Sequence, residues 1–349
     1  MKLYFLGGAQ EVGKSSILVE EKDLKLVLDV GMKTHDHNEL PLHPLGADAA
    51  VLSHAHLDHS GGTAALYRHY NIPTFCTPPT IPVMNLLLED AIKVAQKRGK
   101  DPHFSGKELN KLNNNLIPLP YNKEYDFFDG TTLKFLDAGH VIGSSQIFLH
   151  TSSGKNVLYT GDLKIGETRM HKGAEKPSEK VDVLVIESTY ADRDHLPRKD
   201  LEKMLCDGIK EATEQGLVAV VPAFAVGRTQ EVIEILHAHR VHERIFLAGM
   251  GKDVSRIYGE FHSYIKNPRS FSEAYSAVKH VGGRDERKKL GLKESAEEAT
   301  MLVDSTGDVS MVNKLFNQSA NLEKNEGIES SRKDADHRME QAMGQYELI

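Results

Sequence analysis

At 349 residues the chain is longer than one hydrophobic core usually grows, so two domains are expected. A formal net charge of −7, with 40% hydrophobic and 27% charged residues, describes an ordinary globular protein and argues against a general polyanion binder, while leaving room for a local basic groove. No apolar run approaches the ~18–20 residues that span a bilayer, and the N-terminal apolar stretch is too short for a signal sequence. The two distant cysteines, Cys76 and Cys206, make neither a disulfide framework nor a CxxC metal site, so a cytoplasmic protein with no membrane partner is expected.

The chain opens on strand-like runs at Leu3 to Leu6, Ser16 to Glu20 and Lys25 to Asp29. Thr34 to Pro44 is loop-like. Its His35, His37 and His43 lack an adjacent glycine-braced carboxylate, and no metal role is expected of them. Ala49 to Ser53 reads as a buried strand, Ser60-Gly61-Gly62 as a turn and Thr63 to Tyr70 as the opening of a helix. Pro82 to Lys97 carries apolar residues at helical spacing. Four further strands are expected at Thr132 to Asp137, Gln146 to Thr151, Asn156 to Thr160 and Val181 to Glu187, with His171 in a polar loop between the last two. Helix from Lys199 to Gln215, strand from Leu217 to Pro222 and helix from Thr229 to His237 then alternate, which predicts a second, α/β domain with parallel strands. Positive charge gathers at Lys279, His280, Arg284, Arg287, Lys288, Lys289 and Lys293, as either a solvated helix face or an RNA-facing patch. Thr300 to Val303 reads as a strand. Beyond Leu322 the chain is polar, with an exposed helix expected near Asp334 to Tyr346 and His337 on its surface.

Between the fourth strand and its glycine turn, His54-Ala55-His56-Leu57-Asp58-His59 sets three imidazoles and a carboxylate within six residues at a strand's C-terminal edge. As surface histidines they would crowd like charges when protonated. As ligands they supply the nitrogen and carboxylate donors that suit Zn²⁺, with a position left for water. His140 follows a strand in Asp137-Ala138-Gly139-His140, Asp162 follows another in Tyr159-Thr160-Gly161-Asp162, and Asp29 ends a third. Singly, such residues are turn formers. With the cluster they give three imidazoles for one metal, Asp58 and His59 for another, and one carboxylate able to bridge. Farther on, Arg228 and Thr229 sit at an expected helix N-terminus that favours a phosphate, and Phe224 offers a face on which a base can stack.

These motifs resemble the metallo-β-lactamase superfamily and, within it, the nucleic-acid-processing β-CASP branch with its archaeal ribonucleases related to the cleavage and polyadenylation specificity factor. The resemblance runs from Leu6-Gly7-Gly8-Ala9-Gln10-Glu11-Val12-Gly13 to about Leu315. It includes Glu187 in Ile186-Glu187-Ser188-Thr189-Tyr190 and the segment from Pro222 to Glu231. It implies an αββα sandwich over residues 1–195, an incomplete α/β β-CASP domain over 196–320 and a polar, helical tail over 321–349. It further implies two zinc ions: His54, His56 and His140 on one, Asp58 and His59 on the other, Asp162 between them, and Asp29 fixing an imidazole from behind. Asp58, Asp162 and Glu187 are the implied catalytic groups, and Phe224, Arg228 and Thr229 the RNA contacts.

The implied activity is zinc-dependent hydrolysis of RNA phosphodiester bonds by metal-activated water, in RNA 3'-end processing or decay. RNA is the implied partner, with a homodimer or a partner nuclease subunit as the assembly. A catalytically weakened RNA-binding or assembly subunit is the alternative, and the long insertion disfavours a small-molecule hydrolase. The pattern departs from the family late in the chain. Asp304-Ser305-Thr306-Gly307-Asp308 stands where a Ser-Ser-Gly-Met-like turn is expected, and two further histidine motifs are not found after it. One of those histidines would ligate the second zinc and the other would pair with Glu187. The expectation is therefore a missing C-terminal return segment, an exposed sheet edge and a weakly held second ion.

Overall fold

The computed structural model describes residues 1–33, 39–127, 129–192, 194–216, 218–241, 244–281 and 300–304. The chain divides into two compact units, Met1–Thr189 and Tyr190–Ile349.

In the first unit, β1 (Lys2–Gly7), β2 (Ser16–Glu21) and β3 (Leu24–Leu28) form an antiparallel meander. Three parallel strands extend it: β4 (Ala49–Val51), β5 (Thr74–Cys76) and β6 (Leu116–Pro118). Four helices lie along the chain between β4 and β6: α1 (Leu57–Ser60), α2 (Thr63–Leu66), α3 (Thr80–Lys97) and α4 (Gly106–Asn114). A second sheet has the order β11-β10-β9-β8-β7, from β7 (Glu124–Asp126), β8 (Thr132–Asp137), β9 (Ser145–His150), β10 (Asn156–Tyr159) and β11 (Val183–Val185). The sheets share one core. Ile17, Val19, Leu26, Leu28, Val51 and Phe75 of the first meet Leu133, Phe135, Ile147, Leu149 and Val157 of the second, the period-2 alternation of strands that bury one face against a facing sheet.

The helices follow local rules. α3 buries Val83, Met84, Leu88 and Ala95, a stripe at helical spacing. Ser105 and Glu108 close a capping box at the start of α4, with Lys107 N donating to Ser105 Oγ at 3.2 Å and Ser105 N to Glu108 Oε2 at 2.9 Å. The helix expected over Thr63 to Tyr70 ends at Leu66. Beyond it Arg68 N and His69 N donate to Ala65 and Leu66 carbonyls three residues back, and the Tyr67 hydroxyl turns to the Ile72 carbonyl. The strand expected over Val181 to Glu187 narrows to β11, and Glu187 stands beyond it.

The second unit is built on α5 (Arg198–Glu214), β12 (Val218–Pro222), α6 (Arg228–Ala238), β13 (Arg244–Ala248), α7 (Gly251–Glu260), α8 (Pro268–Ala277), β14 (Lys279–His280) and β15 (Thr300–Asp304). Its sheet, in the order β12-β15-β13-β14, is parallel throughout, as the strand and helix alternation predicts. Leu205 and Ile209 of α5, Ile233 and Leu236 of α6, and Val221 and Leu247 of the strands fill its core. Cys76 and Cys206 are both buried. Among the described residues no helix is long and apolar enough to cross a membrane.

Candidate metal centre

β4 runs into buried Leu52 and delivers Ser53, His54 and His56 to a loop that becomes α1. The strap after β3 holds this loop from behind: Val30 N donates to the His59 carbonyl at 2.8 Å and Met32 N to that of Leu57 at 2.7 Å. Between them Gly31 touches the Asp58 carbonyl, where a Cβ would stand 1.7 Å from the oxygen, so no other residue fits. The third imidazole comes from the turn between β8 and β9, where Gly139 has φ +71 and His140 N donates to Ser144 Oγ at 3.0 Å. Asp162 follows β10, after Gly161 at φ +53, whose missing Cβ leaves room for Ser53.

These three turns converge. His54 Nε2 lies 3.1 Å from His56 Nδ1, which lies 3.2 Å from His140 Nε2. A tetrahedral ion with Zn–N bonds near 2.0–2.1 Å spaces its ligand atoms at ~3.3 Å, so the donors sit close to the edges of such a polyhedron. Asp162 turns Oδ2 toward this group, 3.4 Å from His140 Nε2 and 3.7 Å from His54 Nε2, and Oδ1 toward His59 Nε2 at 3.1 Å. His59 Nε2 is also 3.9 Å from Asp58 Oδ2. Two donor groups result, one of His54, His56, His140 and Asp162, the other of His54, Asp58 and His59, and each has the nitrogen and carboxylate chemistry of a divalent-metal site.

The electrostatics fit a cation. Burial holds His54 well below the ordinary imidazole value, helped by its neighbours His59, His56 and His140 and opposed by Asp162, which keeps it a neutral ligand. Burial would lower His59 too, but Asp162 and Asp29 outweigh it and hold it well above that value. Desolvation would raise Asp162, yet the same imidazoles keep it well below the carboxylate range. An ion at His59 would have to take the place of a proton.

Behind the imidazoles lies a buried hydrogen-bond network. Asp29 Oδ2 accepts from His59 Nδ1 at 2.7 Å, Ser53 Oγ at 2.7 Å and Tyr159 Oη at 2.8 Å, while Oδ1 accepts from Ser53 N at 2.7 Å. Ser53 and Tyr159 were not singled out in the sequence. Each is adjacent in the chain to a motif, but only the neighbouring of β3, β4 and β10 brings them to Asp29. Ser15 is a third such residue, its N–H on the Asp58 carbonyl at 2.9 Å and its Oγ 3.4 Å from His59 Nε2.

The other expected site residues are placed as follows. Glu187 accepts from Leu163 N at 3.3 Å and Thr189 N at 3.1 Å, so its carboxylate braces the turn that carries Asp162. In the second unit Phe224 is 66% exposed, on the loop before α6. Arg228 begins α6, and Gly227 before it has φ +86. Thr229 is buried and donates its N–H and hydroxyl to the Phe224 carbonyl, at 3.1 and 2.8 Å. Its side chain is thus committed to holding the loop. His43 stacks on Tyr70 and meets His69 edge-on. His171, expected in a polar loop, is buried, since its segment packs under the His140 turn through Lys164 N to the Ala138 carbonyl at 2.9 Å and Glu175 N to that of Asp137 at 2.8 Å. His35 and His37, the basic run from Arg284 to Lys293, the turn from Ser305 to Asp308 and the tail with His337 lie outside the described residues.

The Metallo-beta-lactamase superfamily pattern matches residues 9–191 of this chain. A protein of Methanocaldococcus jannaschii named "Probable RNase MJ4" is 33% identical over 293 residues, which cover 82% of this chain and 68% of that protein. "Transcription termination factor FttA" of the same organism is 32% identical over 313 residues, 83% of this chain and 49% of the relative. FttA of Methanosarcina mazei is 35% identical over 279 residues, 75% of this chain and 44% of the relative. The chain thus spans about two thirds of the first and about half of the other two. A crystal structure of a protein of unknown function from Enterococcus faecalis superposes with a TM-score of 0.54 at 16% identity, over 88% of this chain and 77% of that one, which shows the fold alone.

Proposed function

We propose, given that the chain belongs to the metallo-β-lactamase superfamily, that it is a cytoplasmic zinc-dependent ribonuclease acting on RNA phosphodiester bonds in 3'-end processing or decay. The observation that carries this reading is the placement of Asp162 with one carboxylate oxygen toward each donor group. Bound divalent ions supply Lewis-acid charge to a phosphoryl oxygen and bring the pKa of a water toward neutrality. The chain's own residues do the rest. His54, His56 and His140 would hold one ion and His59 and Asp58 the other, with Asp162 turning one carboxylate oxygen toward each group. Glu187 keeps the Asp162 turn in place. In the second unit Phe224 offers an exposed face to a base, Arg228 offers its guanidinium to a phosphate, and Thr229 fastens the loop that presents Phe224. The names of the relatives, an RNase and a transcription termination factor, support RNA as the substrate.

The test is metal content together with cleavage. The purified chain is expected to carry zinc and to cut single-stranded RNA, and His54→Ala combined with His56→Ala is expected to lose both. Stoichiometric zinc in the double variant, by elemental analysis, would refute the ligand assignment. One observation favours a second reading, that of a catalytically weakened RNA-binding subunit: the second donor group shares His54 with the first and adds only Asp58 and His59. RNA binding without cleavage at saturating zinc would select it.

A further inference from the structure

We propose that Ser53 is a positioning residue whose single hydroxyl ties the His54 imidazole to Asp29, the carboxylate that also holds His59 of the other donor group. The inference rests on the two-ion reading above and adds the device that sets both ions' ligands together.

The argument is a count of protons. A serine hydroxyl has one hydrogen to donate and lone pairs that accept. Asp29 Oδ2 lies 2.7 Å from Ser53 Oγ and, as a carboxylate, can only accept, so the hydroxyl hydrogen goes to Asp29. The lone pairs of Oγ are then left for His54 Nδ1, 3.0 Å away. His54 must therefore carry its hydrogen on Nδ1 and present Nε2, the atom that faces His56 and Asp162. On its other flank Asp29 Oδ2 takes the Nδ1 hydrogen of His59 at 2.7 Å, nearer than the 3.4 Å from that nitrogen to Ser53 Oγ, so His59 likewise presents Nε2. One buried carboxylate thus sets the tautomer of His59 directly and that of His54 through Ser53.

Only a group that both donates and accepts can make this link. The side chain is held in place, since Ser53 N donates to Asp29 Oδ1 at 2.7 Å and a Cβ on Gly161 would come within 2.6 Å of Ser53 Cβ. An alanine there would strand the buried His54 Nδ1–H, which could then find a partner only by changing tautomer or turning the ring. Partners of this outer kind set ring orientation and ligand basicity.

The experiment has two arms. In the metal-free wild-type chain, imidazole ¹⁵N spectra are expected to show His54 as a single Nδ1–H tautomer, and in Ser53→Ala as a mixture. An Nε2–H tautomer at wild-type His54 overturns the proposal whatever the variants do. In the second arm, zinc is titrated against a competing chelator. Ser53→Ala is expected to weaken the ion held through His54 by about 10- to 100-fold, and Ser53→Thr, which keeps the hydroxyl, to restore it if its melting temperature matches wild type. Unchanged affinity for that ion in Ser53→Ala overturns the link. Failure of the wild-type chain to bind zinc would refute the two-ion reading, and the tautomer spectra would then decide this proposal unaided.

Discussion

At the scale of single residues, the centre works by setting charges where a cation neutralises them and by leaving the supporting carboxylates no freedom. Asp29 spends both oxygens on four donors, so its charge is satisfied by the groups it orients. Asp137, at the end of β8, is treated differently. Burial pushes its carboxyl up from 3.8 to about 6, with Glu175 adding repulsion and the Gly139 N–H and Lys172 opposing. The folded chain thus holds a proton that the unfolded chain releases. The stability present below about pH 3.8 is lost as pH rises through about 6 and stays lost above it. Asp137→Asn keeps an acceptor for Gly139 N without the charge. It is expected to stabilise the first unit at pH 7.5 by at most about 3 kcal/mol and to make no difference near pH 4, as melting curves at the two pH values will show. An equal effect at both would remove the titration from the account.

At the scale of elements, the loop with His54 and His56 runs into the short helix α1, whose backbone is pressed against the strap after β3. Gly31 is the point of closest approach, and its lack of a side chain is what lets Asp58 and His59 sit where they do. Gly31→Ala forces either the strap or the loop to move, at a cost of about 3 kcal/mol or more. A lowered melting temperature together with reduced zinc content is the expected outcome; unchanged zinc content would show that the loop keeps its form without the strap. In the second unit, α6 is fastened to its preceding loop by Gln230, whose Oε1 accepts from Gly227 N at 2.8 Å and whose Nε2 donates to Ser255 Oγ at 2.9 Å. That loop holds Phe224 out and sets Arg228 at the helix start. Arg228→Ala is expected to flatten the log–log salt dependence of RNA affinity by about one phosphate contact. An unchanged slope would take Arg228 off the RNA path.

At the scale of the whole molecule, two units with separate cores make a single two-state transition a poor description of unfolding. All the ligand-type residues of the candidate centre belong to the first unit. A metal bound there would therefore stabilise that unit by mass action, by about 2.7 kcal/mol at a hundredfold excess over Kd. Chelation is expected to lower the first unit's transition and to leave the second's in place, which calorimetry with and without chelator measures. Equal shifts in both would mean that metal binding couples the units. With a net charge of −7, the proposed RNA binding would have to draw on local groups, which makes its salt dependence a sensitive probe.

The residues that gather at the candidate centre were legible in the sequence because their information is local and chemical. Three imidazoles and a carboxylate in six residues, and a strand, glycine and ligand repeated at Asp162 and His140, leave few other uses for those side chains. The strands around them were legible for a similar reason, since a buried sheet face imposes its alternation on the residues themselves. Boundaries were less so. α2 stops at Leu66 although its apolar pattern runs on, and α4 is signalled in the sequence by little more than the capping box of Ser105 and Glu108. What only the tertiary structure decided is pairing across distance. Asp29 and Tyr159 are 130 positions apart, and Asp29 and Ser53 are 24. Their hydrogen bonds exist because β3 lies beside β4 and the β10 sheet packs on both. That the Thr229 hydroxyl bonds its own loop was likewise decided by where the Phe224 carbonyl falls. A hydrogen bond needs its partners within about 3 Å and correctly aimed, and no spacing along the chain can state that for residues brought together by separate strands.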